Sequence, residues 1–158
     1  MSQILSLLSV WLHALATVVL IGHYLLLALI YLPVLQQNRP DLPGGVILSE
    51  ISKRSRPWLY ASLLTFILTG IYLTVIDTNY LGLADFGNLW GILMLIKHIL
   101  VVAMIVMGFW FNVILRVGPV LRSTTGAAEA FGRFRLYVYL MAISGVLVLL
   151  LTAIAQVE

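Results

Sequence analysis

Long, almost unbroken apolar runs alternate along this chain with short stretches that hold nearly all of its polar residues. The apolar runs cover about residues 4–32, 57–76, 89–115 and 136–155. Roughly 20 apolar residues in a helix cross the hydrocarbon core of a bilayer, and each run reaches that length. Periodicity adds nothing, because helices surrounded by lipid are free to be apolar all round. Length therefore predicts an all-α fold: one transmembrane domain over residues 1–158, built as a four-helix bundle. Pro57 suits the first turn of the second helix. The first run has no basic segment before it and exceeds the apolar core of a signal peptide, so it is expected to be a retained span.

Composition narrows the class further. Of 158 residues, 62% are hydrophobic and 9% charged, against roughly a quarter charged in soluble domains. Mean hydropathy is +1.09. So few charges cannot cover a soluble globule, and so much apolar content excludes disorder. The pI of about 9.5 rests on nine basic residues that form no dense patch, which argues against nucleic acid as a partner. With no cysteine, disulfides, thiolate metal sites and Cys nucleophiles are excluded.

The charges predict an orientation. Arg39, Lys53, Arg54 and Arg56 lie between the first two spans, and Arg116, Arg122, Arg133 and Arg135 between the last two. The middle connection holds only Asp77 and Asp85. The positive-inside rule makes the basic side cytoplasmic and leaves both termini outside, in a cell membrane. Asn79, Tyr80, Asn88 and Trp90 suit an outer interfacial belt, and Trp58 an inner one. Pro40, Pro43, Gly44 and Gly45 mark the first connection as a linker.

A weak internal repeat is visible. His13 precedes Pro33-Val34-Leu35 by 20 residues, and His98 precedes Pro119-Val120-Leu121 by 21. Tyr24 and Phe109 each follow their histidine by eleven residues, close to three helical turns, and so share its face. Thr69-Gly70 and Ser144-Gly145 extend the match, as two tandem helical hairpins would.

All three histidines and Lys97 fall inside spans, where ionisable groups are functional candidates. His13 lies 18 residues before Tyr31, and His98 lies 18 before Arg116, in spans of the same direction. The two imidazoles are therefore expected at one depth, in the outer half. His23 is about 15 Å deeper and about 80° off the His13 direction. Two level imidazoles on separate helices of a bundle suit haem b, held by axial ligation alone. Tyr24 and Phe109 would pack on the porphyrin, and Lys97 would snorkel or bind a propionate. His23 is a possible additional ligand. Copper is the competing metal, since imidazole and thioether both bind it, and Met94, Met104, Met107 and Met141 lie in the spans. Methionine in a span is more often packing.

Trp11-Leu12-His13, Gly22 and Tyr31-Leu32-Pro33 resemble the opening helix of the copper-resistance protein D (CopD) family. Leu68-Thr69-Gly70 is similar to that family's second helix, and the run from Trp90 through Lys97-His98 to Gly108 and Asn112 resembles its third. HemJ-type protoporphyrinogen oxidases share the Leu-His start, the Tyr-Leu-Pro end and a lysine in the third helix. The resemblance implies a helical membrane protein that binds haem b or moves copper, with His13, Lys97 and His98 as the residues carried over. Four spans are fewer than in full-length CopD proteins, and Val34-Leu35-Gln36 stands where HemJ-type proteins are basic.

The expected function is a b-type cytochrome with His13 and His98 as axial ligands. It would pass electrons from quinol to a periplasmic partner, or serve in a larger membrane complex. A HemJ-like oxidase, copper transport and a cofactor-free structural subunit are the alternatives.

Overall fold

A computed structural model describes residues 2–37, 44–78, 82, 89–110 and 127–157. The described residues are helical almost throughout and form four rods. The first comprises α1 (Ser2–Leu26), a π turn (Leu27–Tyr31) and α2 (Leu32–Gln37). The others are α3 (Gly44–Ile76), α4 (Leu89–Phe109) and α5 (Ala127–Ala155). Each rod holds a segment long and apolar enough to cross a membrane: Gln3–Leu35, Glu50–Ile76, Leu89–Phe109 and Phe131–Ala155. Large apolar side chains such as Ile4, Leu64, Val106 and Leu136 lie on the outside, as lipid requires. The chain is a multi-pass membrane protein with the expected four-helix bundle.

Several boundaries differ from expectation, each for a local reason. Helix α3 begins at Gly44, so Gly44 and Gly45 are helical and Pro57 lies inside the helix. Pro57 cannot donate to the carbonyl four residues back. The helix nevertheless continues through it, with Ser55 Oγ donating to the Ser52 carbonyl at 3.2 Å. Helix α5 begins nine residues before the expected 136. Its first turns carry charge outside the apolar run, including an Arg133–Glu129 pair at 2.6 Å with helical i,i+4 spacing. The third span is described to Trp110, and residues 111–115 of its expected length lie outside the described residues.

The π turn precedes Pro33, whose ring crowds the carbonyl four residues back and whose nitrogen cannot donate. Widening the turn lets Leu32 N–H bond the Leu27 carbonyl, five residues back. Leu27, Ala28 and Leu32 then point into the main core with Leu48, Phe134, Tyr137 and Val138. A second, smaller cluster at the opposite end joins Trp90 and Leu93 to Ala155. Trp90 is thus buried in packing and not part of an interfacial belt, whereas Trp58 is exposed as expected. Asn79, Tyr80 and Asn88 lie outside the described residues.

Helix α1 packs most extensively on α3, and α4 on α5. Helix α5 also packs on α1, while α1 and α4 make no substantial direct contact. The two histidine-bearing rods are therefore diagonal, with space between them. Gly70 and Gly145 both allow close approach to α1. A Cβ on Gly70 would lie 3.2 Å from His13 Cε1, and one on Gly145 only 3.0 Å from Ile21 Cγ2. The two glycines matched in the repeat thus serve the same helix, at different depths.

Candidate functional site

Polar groups within the spans fall into two zones. In the zone away from the basic end, α1 and α3 meet along a polar seam. Ser6 Oγ and Tyr72 Oη are 3.4 Å apart, and Ser9 is buried. His13 Nδ1 lies 2.9 Å from Thr69 Oγ1. Thr69 donates its own hydroxyl to the Thr65 carbonyl at 2.6 Å, so it accepts from His13 and the imidazole proton sits on Nδ1. The His13 ring stacks on Phe66 at 4.5 Å between centroids. Lys97, on α4, is half-buried.

His98 points elsewhere. Its residue is exposed, and its Nδ1 donates to the Met94 carbonyl of its own helix at 2.6 Å. Lys97 is half-buried whereas His98, about 100° round the helix, is exposed, so Lys97 is the more inward of the two.

Toward the basic end the four rods enclose a cavity of about 230 Å³. Helix α1 contributes Thr17, His23 and Tyr24; α3 contributes Ser52, Arg56 and Tyr60; α4 contributes Met104, Gly108 and Phe109; α5 contributes Phe134, Tyr137 and Met141. The remaining described lining is aliphatic apart from Phe66, and none of it is acidic. Tyr24 and Phe109 therefore meet at one cavity, and His23 joins them, while His13, Lys97 and His98 lie outside it.

The polar groups of the cavity divide into paired and unpaired. Tyr24 Oη and Tyr137 Oη hydrogen-bond at 2.8 Å, with their rings edge-to-face. His23 touches Tyr24 edge-on at 5.3 Å, and its imidazole has no hydrogen-bond partner among the described residues. Arg56 Nε is buried without a partner. Among the described residues no three His, Asp or Glu converge as a purely protein-built metal site would require.

Arg56, Ser52, Tyr60 and Tyr137 were not foreseen as site residues. Ser52, Arg56 and Tyr60 repeat at i, i+4 and i+8, one face of a helix, but only if the helix runs through Pro57. No family model, curated protein or solved structure matches the chain.

Proposed function

We propose that this protein is a membrane-embedded b-type haem protein whose porphyrin occupies the cavity between the four helices, with His23 as its imidazole ligand. The observation that carries this reading is the free imidazole of His23. It is the one histidine that both lines a cavity and makes no hydrogen bond among the described residues. His13 and His98 bond through Nδ1, to Thr69 and to the Met94 carbonyl, which is compatible with ligation through Nε2, but neither lines this cavity.

The residue types present fit the group, and the cavity of about 230 Å³ would have to widen to admit a whole porphyrin. Porphyrin sites in helical bundles need an apolar slot, a ligating side chain from a facing helix and no covalent attachment. Phe66, Phe109 and Phe134 supply aromatic walls, and Gly108 keeps one wall thin. The thioethers of Met104 and Met141 lie in the same lining and are suited to a second axial position. The resemblance of the first and third spans to the CopD family supports the same cofactor class.

Bound haem supplies one-electron chemistry at this depth. Tyr24 and Tyr137 hold each other, which fixes the ring of Tyr24 beside His23 and limits the imidazole's rotation. The aliphatic lining excludes water. His23 would hold the group, with Met104 or Met141 as a further donor in the same lining, and the chemistry it would supply is one-electron transfer, with membrane quinol as donor and a partner at the far face or a larger complex as acceptor.

The test is a reduced-minus-oxidised spectrum of the protein purified from haem-supplied cells. A sharp α-band of low-spin haem b at one haem per chain is expected. A colourless protein that does not take up added haem contradicts the reading, and one that retains copper instead would favour metal transport.

A further inference from the structure

The sequence presents Arg56 as one of eight basic residues that set topology. The structure gives it a second context. Among the described residues its Nε is buried with no hydrogen-bond partner and Arg56 forms no ion pair. It also lines the cavity, and no described lining residue is Asp or Glu. A guanidinium that only marks the membrane boundary extends its head into water or among lipid headgroups. Here the first nitrogen of the head is turned into protein, where an unmatched donor is costly. Native structures seldom leave such a group unmatched unless water, an ion or a ligand supplies the acceptor.

We propose that Arg56 makes the cavity a receptor for the carboxylate edge of a porphyrin, so that the ligand enters with its anionic groups toward the basic end. A guanidinium presents donors in a planar fork that matches a carboxylate, and the pair is strong where water is excluded. Ser52 and Tyr60, one turn before and one turn after Arg56, line the same cavity and carry hydroxyls on that face. The charge balance among the described lining residues selects the ligand: one fixed cation, no acid, and aromatic and aliphatic walls beyond it. An amphiphile with an apolar body and a carboxylate edge complements all three. The identity of the body rests on the haem reading above, whereas the carboxylate requirement rests on Arg56.

The probes are metal-free protoporphyrin IX and its dimethyl ester, titrated into the detergent-solubilised full chain and followed by porphyrin fluorescence. The free acid should bind at least about tenfold more tightly than the ester. Arg56→Gln should bring the acid to the ester's affinity, whereas Arg54→Gln, at an exposed neighbour, should leave the ratio intact. Equal binding of acid and ester by the unaltered protein overturns the proposal, as does binding of neither, or an Arg56→Gln protein that keeps the preference. The ratio in the unaltered protein decides the matter even if Arg56→Gln does not fold. Failure of the haem reading is separately visible: the acid preference would persist while added haem showed no histidine ligation. Conversely, ligated haem with no acid preference would remove Arg56 alone.

Discussion

Two histidines of α1, ten residues apart, are treated in opposite ways by the bundle. His13 is enclosed by α3: its proton goes to Thr69, its ring lies on Phe66, and Gly70 makes room for it. His23 lines the cavity, with Tyr24 edge-on against its ring. The first arrangement spends the imidazole on joining two helices, a common use of polar side chains where lipid offers no competing partner. The second leaves the imidazole available. The contrast teaches that an intramembrane histidine is read by the space its ring faces: an Nδ1 bond leaves Nε2 open, and what separates the two is that His23 lines the cavity and His13 does not. Presence in a span, or alignment with another histidine, says less.

The contrast breaks most readily at the walls of the cavity. Gly108→Leu should fill space beside Tyr137, whose Oη lies 3.6 Å from the position of a new Cβ. Haem affinity is expected to fall roughly a hundredfold, near 2.7 kcal/mol, with the fold retained. Equilibrium haem titration alongside circular dichroism would check both halves of that expectation.

Next in size is the close approach of α5 to α1. Gly145→Leu would drive side-chain atoms into Ile21 and should cost about 1–3 kcal/mol of stability. Gly22→Leu, where nothing lies within 4 Å of an added Cβ, is expected to change stability by less than about 0.5 kcal/mol. Denaturation in mixed detergent micelles compares the two. Equal losses would mean that α5 does not seat on α1 as described.

A smaller effect separates the seam from the cavity. Thr69→Val removes the acceptor of His13 Nδ1–H and should lower stability by about 0.6–1.7 kcal/mol, the range of polar pairs between membrane helices. Haem binding should not change. A Thr69→Val protein of normal stability but altered spectrum would move the cofactor to the seam and restore His13 as a ligand.

Much of this architecture was legible from the amino-acid order. Charge is so scarce that the four spans stand out by length alone, and the first and last described rods overrun them by turns that mix apolar residues such as Leu35 and Phe134 with polar ones. The direction in which each helix faces was not legible. Helix α4 is apolar on every side, so no stripe distinguishes its protein-facing from its lipid-facing positions. His98 could therefore be assigned a depth but not a direction, and its neighbour Lys97 turned out to be the more inward of the two. Tyr24 and Phe109 do line one cavity, but without the histidines whose faces helical arithmetic assigned them to, since His13 and His98 lie outside it. Arg56 was concealed by Pro57, which placed it in a loop on the reasonable ground that proline begins helices more often than it interrupts them.

The central claim is that the iron ligand is His23 and not the level pair His13 and His98. The direct measurement is the reduced spectrum of haem-loaded His23→Ala set beside that of the double variant His13→Ala/His98→Ala, both at matched haem supply. The account predicts that His23→Ala loses the low-spin α-band while the double variant keeps it. A band that survives in His23→Ala and vanishes in the double variant would contradict the account and return the haem to the half of the bundle away from the basic end.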